Sequence, residues 1–350
     1  SGTADTDGDG VDDIFNYFGS APDMGAFEFC AYLYDCAGVC GGDAVEDCEG
    51  VCEGLAIVDE CGICNGPGPT ECPNGTFECT EDDCTIDYCL ELHAGANLKS
   101  FYALPENISI SNIMSSLGDD VTGVITEGES VVQVNGNWYG SAQTIEPYKG
   151  YWILLTANTD NASLCIEDAT PTETSLTYNL HTGANLISFP AEGSVGVGDA
   201  LPDDIEASVS AIITEGESSV HIGDNWYGSM QTFNGGKGYW LIASDPILFS
   251  FNLEGLVRIQ ELPLERVPIG YDYNQSTEQA FYFIESVEMI ETGDWLLAYH
   301  GDNLIGARQW LGEHSDIPVM GDDGNSLTSG YLQVGDTPEF KLLKEGRVLP

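Results

Sequence analysis

Positive charge is what this sequence has least of. Nine lysines and arginines stand against 58 aspartates and glutamates in 350 residues, a formal charge of −49. Such a chain repels phosphate backbones and anionic lipid, which excludes nucleic-acid or membrane-surface binding as a main role. Long apolar runs are also missing. None approaches the ~18 residues of a membrane span, so no membrane span is expected. Histidine is sparse, and none lies among the ten cysteines between Cys30 and Cys84. The chain has no nucleophile elbow, no paired-histidine zinc helix, no phosphate loop and no dinucleotide fingerprint. No secretory leader is visible, and the opening SGTADTDGDG reads as a mature or cut end. Acidity this strong implies bound cations, a saline medium or both.

What the chain does have, besides acid, is cysteine. There are twelve, ten of them between Cys30 and Cys84. The CGIC at Cys61 and Cys64 could serve zinc in a reducing cytosol. An even count, irregular spacing and a glycine-rich acidic setting fit a disulfide framework better, in an extracellular or periplasmic setting. Four N-x-S/T sequons, at Asn74, Asn107, Asn161 and Asn274, fit a secreted surface. The motifs DCAGVCGGD, DCEGVCEG and ECGICNG recur at a step of twelve or thirteen residues with few large apolar side chains. Such a segment cannot build an ordinary core and must be stapled. Residues 30–89 are therefore expected to be a stiff disulfide-rich acidic stalk that could also take up calcium, with its pairing left open.

The first 29 residues hold DTDGDGVDD. Asp5, Asp7 and Asp9 alternate, Gly10 permits a sharp turn, the Val11 carbonyl falls at the seventh loop position and Asp13 at the ninth. This is oxygen-ligand spacing for Ca2+, although Asn16 replaces the bidentate glutamate of a sensor loop. The stretch resembles the calcium loops of thrombospondin type 3 repeats and dockerins. APDMGAFEF, which follows, resembles the closing turn of secreted parallel β-helix proteins, which would imply a β-helix ahead of Ser1.

The stretch ITEGES occurs twice, at Ile125 and Ile213. LHAGANLKSF at Leu92 matches LHTGANLISF at Leu180, and the 88-residue offset holds without a gap through KGYW at Lys149 and Lys237. This is a duplicated domain, with residues 90–170 and 176–253 as its copies. Short apolar or alternating runs between glycine and asparagine breaks predict β structure. A helical turn or two is expected at SISNIMSSL in copy one, whereas copy two has GVGDALPDD there, a loop that has drifted. Cys89 and Cys165 bracket the first copy and both lack counterparts in the second, as a Cys89–Cys165 bridge would leave matters. The pairs Glu127/Glu129 and Glu215/Glu217 could serve as the acid and base of a glycosidase. The intervening glycines favour a strand-ending turn whose side chains satisfy nearby amides. Trp138, Tyr139, Tyr151 and Trp152, with Trp226, Tyr227, Tyr239 and Trp240, then read as core aromatics. Exposed, they would stack on sugars.

In residues 254–350 the run LLAYHGDNLIGARQW reads as a hairpin turning at Gly301, Asp302 and Asn303, and closely spaced strands predict a β-sandwich-like domain. The expected fold is thus mainly β: calcium loop and disulfide-rich stalk, two homologous small β domains, and a C-terminal β-sandwich. In this architecture the chain resembles multi-domain secreted surface proteins of environmental and marine bacteria, which implies an extracellular or cell-surface location but no particular chemistry. Six of the nine basic residues lie after Leu253. An acidic head and a relatively basic tail suit head-to-tail association of copies. The expectation is a non-enzymatic subunit of a filament or surface fibre. The alternatives are an adhesin whose repeats bind surface glycans and a glycoside hydrolase using the paired glutamates.

Overall fold

A computed structural model describes residues 34–39, 42–72, 77–80, 83–157, 159, 161–257 and 267–350. The calcium-loop positions Asp5, Asp7, Asp9, Val11 and Asp13, the sequon Asn74, and Cys30 and Cys40 lie outside the described residues. The chain is mainly β. It divides into two compact units, Ser1–Asp83 and Cys84–Pro350.

The first unit repeats with a step of twelve. Asp35, Asp47 and Asp59 each close a turn: one carboxylate oxygen accepts the amide four residues on (Val39 2.7 Å, Val51 2.9 Å, Ile63 2.8 Å). The other oxygen accepts the amide nine residues on (Ala44, Ala56, Gly68). These amides, Val51 and Ile63 foremost, hold the Asp47 and Asp59 carboxyls below the usual carboxylate range. The carboxylate sits so close to the backbone seven residues on that a Cβ at Gly42, Gly54 or Gly66 would meet it within 2.0 Å. Disulfides Cys36–Cys52, Cys48–Cys64 and Cys61–Cys79 join successive steps, and Cys72 and Cys84 are also disulfide-bonded. The repeating aspartates are therefore turn-formers saturated by amides.

In the second unit, copy one contains β1 (Ile86–Leu92), β2 (Gly95–Lys99), β3 (Val121–Thr126), β4 (Glu129–Val134), β5 (Asn137–Gly140), β6 (Tyr151–Leu155) and β7 (Ala162–Pro171). Five of these form an antiparallel sheet in the order β2-β6-β3-β4-β5, while β1 pairs with β7. Copy two repeats the plan with β8 (Tyr178–Leu180), β9 (Gly183–Ile187), β10 (Val209–Ile213), β11 (Ser218–Ile222), β12 (Asn225–Gly228), β13 (Tyr239–Ala243) and β14 (Ile247–Phe249). Its sheet order is β9-β13-β10-β11-β12, and β8 pairs with β14. Each copy closes its own core, around Phe101, Ile110, Tyr151 and Ile153 in one and Phe189, Phe233, Tyr239 and Leu241 in the other. Cys89 and Cys165 are cross-strand partners on β1 and β7 and are joined. In copy two the Thr177 and Ser250 hydroxyls meet at 3.3 Å beside the β8–β14 pair. The drifted loop of copy two also forms helical turns, Val197–Ala200 and Asp203–Glu206. Gly198 and Pro202 forbid a longer helix, but a single turn with Asp203 and Asp204 at its start is compatible with both.

The C-terminal domain has two sheets around a shared core that includes Leu296, Ile305, Ile317 and Val319. β15 (Gln279–Ile284) pairs with β18 (Ser315–Met320). β16 (Trp295–His300), β17 (Asn303–Gln309), β19 (Glu339–Lys344) and β20 (Arg347–Leu349) form the second sheet in the order β17-β16-β19-β20. His300 pairs with Asn303, so the hairpin loop is Gly301 and Asp302 alone. No helix among the described residues is long and apolar enough to cross a membrane.

Candidate functional site

The two ITEGES motifs turn tightly between strands. Thr126 pairs with Glu129 across Glu127 and Gly128. Gly128 and Gly216 adopt the left-handed region, at φ 73° and 70°, where glycine carries no steric cost. The glutamates do not serve local amides, as the sequence had led us to expect. Each reaches into the other repeat. Glu127 accepts hydrogen bonds from His181 Nε2 (2.5 Å) and the Leu186 amide (2.9 Å). Glu215 accepts them from His93 Nε2 (2.5 Å) and the Leu98 amide (2.8 Å). The two clamps are reciprocal, so the repeats are related by an approximate two-fold.

The protonation of the clamp follows from its partners. His93 Nδ1 lies 2.7 Å from the Ala94 carbonyl and His181 Nδ1 lies 2.8 Å from that of Thr182. A carbonyl can only accept, so Nδ1 carries a proton, while Nε2 faces a carboxylate. The geometry therefore favours imidazolium. Burial pushes the His93 imidazolium down, but the Glu215 carboxylate outweighs it and its pKa is raised. For His181 the Thr182 carbonyl, then Glu127, raise it. Burial works against the Glu215 carboxylate, yet Lys99, His93 and the Leu98 amide together hold it down at about 2.

The other shared motifs close the same seam. Gly150 N–H donates to the Leu186 carbonyl and Gly238 N–H to that of Leu98, both at 3.2 Å. Ser188 Oγ donates to the Pro147 carbonyl and Ser100 Oγ to that of Lys237, both at 2.6 Å. Between these bonds Ala96, Leu98, Trp152 and Leu186 are buried, flanked by Ile125, Leu154 and Trp240. The second glutamates stay within their own repeats: Glu129 meets Lys149 at 2.7 Å and Glu217 meets Lys237 at 3.0 Å. All four carboxylates of the candidate acid–base pairs thus face cationic or cationisable partners of the chain itself.

One half of this pseudo-symmetric pair is covered further. Asp316, fully buried on β18, accepts from Ser218 Oγ (3.0 Å), Ser229 Oγ (2.8 Å) and the Ser229 amide (2.7 Å). Arg308 binds Asp316 at 3.2 Å and donates to the Gly216 carbonyl. Gln279 reaches the Thr214 carbonyl, and Tyr227 lies edge-on to His314. The equivalent residues of copy one, Gly128, Ser130, Tyr139 and Ser141, are exposed. The Glu127–His181 clamp is correspondingly more open than Glu215–His93 (side-chain exposure 34% and 62% against 18% and 46%).

Among the aromatics, Tyr151, Trp152 and Tyr239 are core residues, whereas Tyr139 is 60% exposed. It is therefore not the core aromatic that the sequence indicated. Trp138 and Trp226 are half-buried, each packed on its own repeat's core. Asn107, Asn161 and Asn274 are exposed, and Asn274 Nδ2, the atom a glycan would occupy, donates to the Leu327 carbonyl. No group of three metal-ligating side chains occurs among the described residues. Among the described residues an open cleft of 1060 Å³ is lined by Leu104, Pro105, Pro171 and the acids Glu106, Glu167, Asp168 and Glu173.

The inter-repeat clamp is the feature that sequence reasoning missed. Its signal was nevertheless available. Histidine, asparagine, leucine, glutamate and Lys-Gly all recur at the 88-residue offset, as they must if each copy supplies both halves of a reciprocal contact. The cysteine pairings mark a chain of an oxidising environment. No protein-family model matches the chain, nor does any curated protein or solved structure.

Proposed function

We propose that the chain is a structural subunit of an extracellular filament or surface fibre, assembled head to tail from copies of itself and stabilised by disulfides and Ca2+. The observation that carries this reading is the use made of the acidic motif. Its four glutamates are bound to histidines and lysines of the chain, and two of them fasten the repeats to each other. Groups with catalytic potential thus serve rigidity. The disulfide ladder serves the same end in a segment without a large apolar core. Ca2+ belongs by spacing to Asp5, Asp7, Asp9, the Val11 carbonyl and Asp13. The tail from Glu339 to Pro350, locally net positive with Lys341, Lys344 and Arg347 against Glu339 and Glu345, supplies an attraction that copies of a −49 chain otherwise lack. Electron microscopy of the purified protein in Ca2+ tests this reading. Fibres are expected, and a monodisperse monomer would overturn it.

An adhesin reading is favoured by one observation, the exposed Tyr139 ring on copy one, since sugar rings stack on such surfaces. A glycan array lacking any hit that depends on Tyr139 would remove it. A glycosidase reading has no comparable support, because each glutamate already holds a partner.

A further inference from the structure

The approximate two-fold gives the chain two versions of one docking face, and its own C-terminal domain covers only the version on copy two. There the occupant supplies a guanidinium to the Gly216 carbonyl, a carboxylate to the Ser218 and Ser229 donors, and a ring contact to Tyr227. Copy one presents Gly128, Ser130, Ser141 and Tyr139 at the same offsets, with the same left-handed glycine. β4 places Val132 and Val134 on the face that carries Ser130, and Val132 is the cross-strand partner of Tyr139. Val132, Val134 and Tyr139 are 51%, 50% and 60% exposed. An occupant of this face needs a cation for the Gly128 carbonyl and an anion for the serines, as on copy two, and an apolar surface for the three exposed side chains of copy one.

The β19–β20 hairpin carries all three. Lys344 pairs with Arg347 across a two-residue turn, Glu345 and Gly346, both with positive φ. This is the geometry of a tight, twist-matched hairpin. Glu345, Arg347, Val348 and Leu349 are exposed, and Arg347 is the only exposed arginine among the described residues. β20 is also an edge strand of its sheet.

We propose that this hairpin tip, Glu345–Leu349, docks on the open face of copy one in the next copy of the chain. Arg347 takes the place that Arg308 holds on copy two, and Glu345 that of Asp316. Val348 and Leu349 cover Val132, Val134 and Tyr139. Arg347 brings a positive charge to a neighbour of net charge −49, a favourable term between copies that repel overall. Donor and acceptor are different surfaces, so the contact is heterologous and propagates unless its rotation closes a ring. The proposal rests on the filament reading and names its interface.

Sedimentation velocity on three full-length proteins tests it: the unaltered chain, an acceptor variant Val132→Ser/Tyr139→Ser, and a donor variant Arg347→Glu. Each variant alone is expected to self-associate at least about tenfold more weakly. Mixed together they should form one-to-one dimers and nothing longer, because each retains the half that the other lacks. That complementation also shows that both variants are folded. Self-association of both variants at the strength of the unaltered chain would overturn this interface and leave the filament reading standing. Failure of weakened variants to complement would likewise overturn the interface alone. A monomeric unaltered chain would overturn both.

Discussion

Two histidines set the alkaline side of the clamp's response to pH. Both are drawn above their ordinary pKa by facing acceptors on each ring nitrogen. A raised folded-state pKa means that the clamp's contribution is fully present below about 6.5, the unfolded value. It is lost as pH rises through the folded value. Glu215 gives the opposite arm: its pKa of about 2 lies below the ordinary glutamate value of 4.5, so its contribution is lost as pH falls from 4.5 towards 2. The midpoint of denaturant unfolding should therefore fall at both ends. His93→Gln with His181→Gln should flatten the alkaline arm, and Glu215→Gln the acid arm. An alkaline arm unchanged in the histidine variant would refute the clamp. At this scale the sequence disclosed half of the site. Its glycine and strand pattern identified Glu127 and Glu215 as turn residues. What those carboxylates bind was not legible, because His181 and His93 lie 54 and 122 positions away in the chain. Only the packing of one repeat on the other brings them within reach.

Strands and turns were more legible, because their determinants are local. Asn135-Gly136 makes the two-residue link between β4 and β5, with both residues at positive φ, and Gly301-Asp302, with Gly301 alone at positive φ, links β16 and β17. The helical turns of copy two were missed because Gly198 and Pro202 argue against a helix only where it must run on. Lys-Gly before β6 and β13 had no local explanation at all, since its reason lies across the seam. A Cβ on Gly150 would come within 2.8 Å of the Ile187 carbonyl, and one on Gly238 within 2.8 Å of that of Lys99. Gly150→Ala and Gly238→Ala should therefore each cost about 1–3 kcal/mol, as overpacking does. Denaturant unfolding would measure it, and an unchanged midpoint would show that the seam yields easily.

For the molecule as a whole, the decisive feature is the uneven use of a duplicated surface. The C-terminal domain is fixed to copy two through a buried carboxylate whose partners are two serines and Arg308. Removing that carboxylate leaves the guanidinium buried without its counter-charge, a loss of about 3–5 kcal/mol where burial is complete. Asp316→Ala should therefore raise hydrogen exchange along β18 and at Ser218 and Ser229, while leaving the core of copy one protected. Loss of protection throughout copy one would mean that the domains unfold together. The sequence carried no sign of this asymmetry, because Asp316 and Arg308 read as ordinary members of a charged chain until their burial is known.

The stagger of the stalk disulfides has a consequence for proteolysis. Cys36–Cys52, Cys48–Cys64 and Cys61–Cys79 overlap end to end, so every peptide bond from Cys36 to Cys79 lies inside at least one closed loop. A protease that cuts once anywhere in that span severs the backbone but parts nothing. On a denaturing gel, singly nicked protein should migrate as one species until reductant is added and then fall into two. Release of a fragment without reductant would show that the loops are not closed as described. Among secreted hydrolases, this segment can be cut without being lost.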